Sequence, residues 1–318
     1  MTAAWPMVCP TCRAALGDLP VARGAAPRVA CAACGGERER RGGVWDFLTA
    51  DQAAHFAPFL AEYTAVRLTE GRGDLATYDV GELPWVGPAN PRAWEWYIRA
   101  ASFEHLVAHI VPPPGPRSQP LRVLDLGAGT GWLSRRLAEL GHAPLAVDVS
   151  DDPRDGLGAA RVFDGLLAEP FPRVRADFDR LPLADGAADV AIFNASFHYS
   201  PDLGATLAEG MRVLAPGGRL VILDSPIYHS AATGERMVAA RRQSYVERFG
   251  FASDRLGSRE FLVDSEVGRF GRELGLRWRV LAPHYGLAWN ARRWWRRWRT
   301  GRESARFEIL VAQREADA

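Results

Sequence analysis

The sequence contains no lysine: all 39 of its basic residues are arginine. A Walker-type phosphate loop needs its lysine, so that class of nucleotide hydrolase is excluded. No run of about 18 or more apolar residues occurs, which excludes a membrane-spanning helix. The first twelve residues lack a basic segment followed by an apolar run, so no secretory leader is expected and the expected location is the cytoplasm. An excess of one charge is also missing. The 39 basic and 38 acidic residues give a net charge of +1, far from the balance of a dedicated nucleic-acid binder. Cysteine is scarce, with four residues, all within the first 34. A disulfide framework spread through the chain is therefore excluded, and a compact N-terminal set points to a metal instead.

What is present is an ordinary globular composition over 318 residues, 47% hydrophobic and 24% charged. That length suits one large domain or two smaller ones. Residues 1–48 read as a small module rich in Cys, Gly and turn residues. Residues 49–117 read as a helical cap and linker, closed by Pro112-Pro-Pro-Gly-Pro116, which no helix continues. From 118 to 318 short β-rich runs alternate with helical ones. Strands are expected at 121–126, 144–149, 173–176, 188–193, 218–224, 277–282 and 306–312. Helices are expected at 131–140, 155–168, 203–214 and 264–274. This alternation predicts an α/β fold, a doubly wound and mostly parallel seven-stranded sheet covered on both faces. The stretch 226–262 exceeds a normal connection and reads as an insertion with its own helix.

Cys9-Pro-Thr-Cys12 and Cys31-Ala-Ala-Cys34 have the spacing of a zinc ribbon. Each two-residue spacer turns two thiolates toward one cation, and two such turns complete a tetrahedron. Four thiolates leave no open position, so the expected Zn2+ role of Cys9, Cys12, Cys31 and Cys34 is structural. Loss of the metal with retained packing, or a redox role for one pair, are the alternatives.

Val123-Leu-Asp-Leu-Gly-Ala-Gly-Thr-Gly-Trp132 lies where a strand meets a helix. Gly127, Gly129 and Gly131, with Ala128 between them, permit a tight turn and close approach of a ligand to the backbone. A dinucleotide fingerprint requires GxGxxG. Here the third glycine comes one position early, and Trp132 stands in its place. Asp125 also puts a carboxylate where a pyrophosphate would be repelled and a cation favoured.

This stretch resembles the first motif of the class I S-adenosylmethionine-dependent methyltransferases, of the methyltransferase type 11 kind. The resemblance covers roughly 120–225 and extends more loosely to 318. It implies S-adenosyl-L-methionine as cofactor. Asp148 in Ala146-Val-Asp-Val-Ser150, 23 residues after Asp125, matches the acid that binds the ribose hydroxyls. Asp177 and Phe178 match the pair that holds the adenine. Asp189-Val-Ala-Ile-Phe-Asn194 resembles the fourth strand, with Asn194 at its end, and Leu214-Ala-Pro-Gly-Gly-Arg-Leu220 the turn into the fifth. The cysteine unit, followed by Gly42-Gly-Val-Trp-Asp-Phe-Leu48, resembles the zinc-ribbon or Trm112-like leader found before some bacterial methyltransferases. A ribosomal-RNA guanine methyltransferase group also carries such a module, with histidine as fourth ligand. This chain has Cys34 there and no histidine before His55, which counts against RNA.

Open α/β sheets bind ligands beyond the carboxyl ends of their strands. Three of the seven histidines are expected there, each beside a tyrosine: His198, His229 and His284. A neutral nucleophile needs a proton acceptor, and histidine is suited to that near neutrality. His198 is the first choice as catalytic base. The expected lid is 51–110 together with 226–262, and its Trp85, Trp94, Trp96 and Tyr97 suit an apolar acceptor or simply a helical core. Trp289-Asn-Ala-Arg-Arg-Trp-Trp-Arg-Arg-Trp-Arg299 has three readings: RNA contact by stacking, adsorption to an anionic membrane or lipid-like substrate, or an amphipathic helix laid on the sheet edge. The favoured function is methyl transfer to oxygen or nitrogen of a small molecule. RNA base methylation and a non-catalytic cofactor-binding partner protein are the alternatives. The sequence sets no oligomeric state.

Overall fold

A computed structural model describes residues 5–18, 27–73, 80–300 and 303–315. The N-terminal unit contains β1 (Pro6–Val8), β2 (Ala15–Asp18), β3 (Arg28–Ala30), β4 (Glu37–Arg41) and β5 (Val44–Asp46). Two cap helices follow, α1 (Ala50–Thr69) and α2 (Ala93–His109). Thr49 starts α1 with a capping box: its hydroxyl accepts from the Gln52 N–H, and the Gln52 side chain accepts from the Thr49 N–H.

The alternating region begins with β6 (Arg122–Leu126), α3 (Trp132–Glu139) and β7 (Ala143–Asp148). It continues through β8 (Arg173–Arg175), β9 (Ala188–Asn194), α4 (Leu203–Arg212) and β10 (Leu214–Leu223). Between β7 and β8 the expected helix is a 3-10 segment, Leu157–Gly165. Gly156 and Gly158 enter it so close to the backbone of 151–153 that a Cβ on either would lie 2.6 Å from a backbone atom. The insertion holds β11 (Ile227–Tyr228), α5 (Ala231–Phe249) and β12 (Leu262–Val263). The chain ends through α6 (Asp264–Leu274), β13 (Leu276–Leu281), α7 (Gly286–Thr300) and β14 (Ile309–Arg314).

The main sheet runs β13-β14-β10-β9-β6-β7-β8-β5-β4-β3. The seven strands from β13 to β8 are those expected from the alternating pattern. Within these seven, β14 runs antiparallel to its neighbours β10 and β13, and the other pairings are parallel. At the other edge β5 pairs in parallel with β8, Trp45 opposite Val174, so the cysteine unit extends the sheet instead of hanging from it.

Strands buried on both faces read as nearly continuous apolar runs, and β6 and β9 do so. Their side chains alternate between two cores. Leu124, Leu126, Ala191 and Phe193 face one, with Leu207 and Met211 of α4 and with Trp45 and Phe47. Val123, Val190 and Ile192 face the other, with Phe103 and Leu106 of α2 and Leu133 and Leu137 of α3. Strand order changes direction beside β6, so the carboxyl ends of β6, β7 and β9 open one crevice. Among the described residues no helix is long and apolar enough to cross a membrane.

Candidate active site

The crevice is a cavity of about 660 Å³. Its floor is the turn from β6 into α3. Gly127, Gly129 and Gly131 have φ of 72°, 52° and 73°. That is the left-handed region, where a side chain would be strained. The three positions differ in what surrounds them. A Cβ on Gly127 would lie 2.3 Å from the Ser196 Cβ, and one on Gly131 would press on Ala160 and Phe171 at 3.2–3.3 Å. Over Gly129 nothing lies within 4 Å, so this backbone faces open space in the cavity. The amides of Gly127 and Ala128 donate to the Val147 carbonyl at 2.8 and 3.0 Å, which fixes the turn against β7. Trp132, standing where a dinucleotide site needs glycine, is buried edge-on against Trp96 and Phe103 of α2. It locks the cap to the loop.

Asp148 ends β7. One carboxylate oxygen accepts from the Gly129 N–H and the other from the Ser150 N–H, both at 2.8 Å. Each oxygen keeps a lone pair for a ligand hydroxyl. Burial nevertheless raises its pKa, more than these two bonds lower it. Asp125 is buried beneath the loop. Its Oδ2 accepts from the Ser134 hydroxyl at 2.8 Å, and its Oδ1 has no partner. Burial first, and then the Asp148 charge, push its pKa up to about 7 against the pull of Ser134. Asp177, past β8, accepts from the Asp179 N–H at 3.0 Å and from the Gln52 side chain at 3.4 Å. Phe178 packs edge-on against Phe193 at 5.6 Å. Asn194 ends β9, and its buried Oδ1 is without a partner. Asp125, Gly127, Ala128, Gly129, Asp148, Asp177, Phe178 and Asn194 thus line one cavity, with Gly131 just behind as the cap of α3.

These features fit S-adenosylmethionine. The floor offers uncovered backbone at Gly129 and a helix N-terminus, the walls offer carboxylates for hydroxyls and cationic groups, and the buried Asp125 Oδ1 and Asn194 Oδ1 lack donors. A pyrophosphate would instead face Asp125 and Asp148.

The three histidines do not converge. His198 lines the cavity, in a 3-10 turn after β9. His229 is exposed on the insertion, with Nδ1 paired to Asp264 at 2.5 Å. His284 is exposed in the turn before α7. Their shared tyrosine neighbour separates them further, since Tyr199 lines the cavity while Tyr228 and Tyr285 are buried elsewhere. His198 is half-buried, its Nδ1 3.1 Å from the Ser225 hydroxyl. Burial, with Arg99 and Arg241 adding repulsion, pushes its pKa down to about 3. A ring this reluctant to take a proton is a hydrogen-bonding group at neutral pH, not a reservoir for one.

The roof holds residues that sequence reasoning missed. Tyr63 of α1 meets Tyr199 edge-on at 6.2 Å. Arg67 grips Asp155 with two nitrogens, one of them at 2.8 Å, and stacks on Tyr63. Burial works against its charge, but Tyr63 and Asp155 outweigh it and raise its pKa. Arg72 and Arg92 share Glu70 and Glu95 at 2.6–3.2 Å, joining the end of α1 to the start of α2. Asp224, just past β10, has φ of 55° and accepts from Ser102 at 2.6 Å, with its other oxygen unpartnered. Burial raises its pKa. Ala195, after the neighbouring strand, has the same φ of 55°. Backbone strain at two adjacent strand ends is typical of a functional crevice. Trp96 lines the cavity, while Trp94 stacks on Tyr97 outside it.

The four cysteines come together at the far edge of the sheet. All four Sγ atoms lie within 4.8 Å of one another. The Cys9–Cys34 and Cys12–Cys31 separations are 3.7 and 3.5 Å. Thiolates at about 2.3 Å from zinc in a tetrahedron lie about 3.8 Å apart, so the set fits Zn2+. Each pair sits on the same turn: Arg13 N–H donates to Cys9 and Gly35 N–H to Cys31, both at 2.8 Å. The residue after each second cysteine has positive φ, 65° at Arg13 and 70° at Gly35. Arg13 also reaches away from the ribbon to donate to the carbonyls of Leu181 and Leu183.

Residues 124–222 match the family model described as a methyltransferase domain. The chain is 32% identical over 150 residues to the malonyl-[acyl-carrier protein] O-methyltransferase of Yersinia pestis, covering 45% of this chain and 54% of that one. It is 39% identical over 110 residues to the demethylmenaquinone methyltransferase of Thermus thermophilus, covering 34% and 48%. It is 32% identical over 126 residues to the dimethylglycine N-methyltransferase of Parasynechococcus marenigrum, covering 39% and 45%. The chain spans about half the length of the curated relatives it matches.

Proposed function

We propose, from a chain whose residues 124–222 match the methyltransferase-domain model, that it transfers a methyl group from S-adenosylmethionine to an oxygen or nitrogen of a small molecule. The observation that carries this reading is the convergence of the glycine turn, Asp148 and Asp177 on one cavity, whose opposite wall combines the rings of Tyr63, Trp96 and Tyr199 with ion-paired side chains such as Arg67 and Asp155. The three relatives are named for different acceptors: malonyl-[acyl-carrier protein], demethylmenaquinone and dimethylglycine.

The cofactor supplies an electrophilic methyl on a sulfonium, so the protein must bind, align and exclude water. In our reading the Gly127–Gly131 turn takes the methionine end, with Asp125 facing its cationic groups. Asp148 takes the ribose hydroxyls. Asp177 and Phe178 take the base, and the unpartnered Asn194 Oδ1 accepts a ligand N–H. Tyr63, Tyr199 and Trp96 close over the methyl and keep water away. His198 uses Ser225 to fix its ring, leaving Nε2 for the acceptor. Because burial keeps His198 neutral, our reading gives it an aligning role and leaves any proton removal to another group. We assign Cys9, Cys12, Cys31 and Cys34 to a structural Zn2+.

The test is calorimetry with S-adenosylmethionine and S-adenosylhomocysteine. Radiolabelled methyl transfer to carboxylate, phenol and amine acceptors follows. Binding of both ligands and label in one acceptor class are expected. Failure to bind either ligand would overturn the reading.

A further inference from the structure

We propose that α7 is an interfacial helix that seats the protein on an anionic lipid surface. This rests on the helix alone and is independent of the methyl-transfer reading.

The helix runs from Gly286 to Thr300 and contains five arginines (292, 293, 296, 297 and 299) and no acidic residue. Four of its apolar side chains stand in solvent: Leu287 is 82% exposed, Trp294 69%, Trp295 51% and Trp298 74%. Single exposed apolar residues are common and need no account. Here the four fall, with Ala291, within an arc of about 100° at 3.6 residues per turn, which makes them one stripe.

A helix laid on the sheet would turn that stripe inward. This one is held by its other side. Trp289 packs against Trp94 at 5.6 Å, Tyr285 at 5.4 Å and Phe307 at 6.0 Å. At the first turn the Tyr97 hydroxyl donates to the Tyr285 carbonyl at 3.4 Å. The helix is therefore rooted through Trp289, with its indole stripe directed outward. The amphipathic-helix expectation holds, but burial against the sheet does not.

Arginine-rich composition, low mean hydropathy and an aromatic stripe are the marks of a helix lying in the plane of a lipid interface. Indoles favour the headgroup level, and guanidinium groups favour anionic lipid. Nucleic acid would use the charge and the indoles, but Leu287, the most exposed of the four, has no plane on which a base could stack. The stripe also continues along the helix, as a lipid plane requires. Phe307, against which Trp289 packs, lines the cavity. Adsorption would thus bring one cavity wall within about a helix diameter of the lipid.

The test uses the full chain and vesicles of phosphatidylcholine, alone or with phosphatidylglycerol. Partitioning onto anionic vesicles should exceed that onto neutral ones about tenfold, and added salt should reduce it. Replacing the three exposed indoles together (Trp294→Ser, Trp295→Ser, Trp298→Ser) should cut partitioning about tenfold or more while leaving the melting temperature unchanged. A parent protein that ignores anionic vesicles, or a triple variant that partitions equally well, would overturn the proposal. So would single-stranded RNA binding that depends on these indoles and is not displaced by vesicles.

Discussion

On the side of the cavity that we assign to the cofactor, the groups that face a ligand are backbone atoms and carboxylates at the ends of β6, β7 and β8. On the side that we assign to the acceptor they are side chains brought by the helices α1, α2 and α5. The two halves therefore tolerate change differently. A floor made of backbone depends on φ angles that only particular residues supply. A roof made of side chains can be rebuilt for another acceptor while the floor stays as it is.

The sharpest way to break the contrast is Gly127→Ala. The new Cβ would lie 2.3 Å from the Ser196 Cβ at a φ of 72°, and neither atom belongs to the far end of a flexible chain. Cofactor affinity should fall about a hundredfold or more, near 3 kcal/mol. The same substitution at Gly217, φ 77° with nothing within 4 Å, should cost only about 1–2 kcal/mol of stability and leave cofactor binding alone. Calorimetry and thermal melts on the two variants separate the effects. Equal cofactor affinity in both would mean that the turn does not touch the ligand.

Metal removal should come next, because the ribbon braces the floor. The Val8 amide donates to the Pro182 carbonyl at 3.0 Å, and the Ala184 amide to Pro6 at 2.9 Å. Arg13 holds the Leu181 carbonyl at 2.7 Å, and β5 lines β8. Both grips fall on the strand and loop that flank Asp177. Stripping Zn2+ with a chelator, or Cys9→Ser, should weaken cofactor binding about tenfold, an ordinary coupling energy between two sites. Calorimetry before and after zinc is restored checks this, since an uncoupled ribbon would melt without any change in affinity.

His198→Ala tests the roof. The cofactor dissociation constant should stay as in the parent, while turnover drops roughly tenfold through lost alignment. A loss of about a thousandfold or more would instead make His198 a base. Its pKa of about 3 also predicts that turnover shows no histidine limb between pH 6 and 8.

Much of this was legible in the sequence, and the reason is geometric. The strands of the alternating region and the glycine turn follow from local rules of burial and φ, whereas the carboxylates at 148 and 177 stood out only through the family resemblance. The cysteine spacing likewise anticipated a single thiolate cluster. The histidines misled because a place at a strand end fixes position along the strand, not direction beyond it. His229 turns to Asp264 once β11 pairs with β12, and His284 faces solvent. The Arg67–Asp155 pair joins residues 88 apart in sequence, and no local pattern announces it. The ribbon's place in the sheet was hidden for a different reason: β5 has three residues, too few to show a strand period.

The smallest expected effect comes from Asp125, and it concerns pH. In the protein without ligand its carboxyl, raised to about 7 by burial, is half protonated near neutrality. A cationic ligand favours the ionised form, so binding expels the proton, and affinity must rise as pH rises through that value. If only the ionised form bound, affinity would change about tenfold between pH 6 and 8; some binding by the protonated form makes it less. Asp125→Asn removes the titration and should flatten the profile, at some loss of affinity at the alkaline end. Calorimetry in buffers of different ionisation enthalpy counts the expelled proton directly. A parent profile that is flat or falls with pH would mean that Asp125 does not face the ligand's charge, and that the floor binds through its backbone alone.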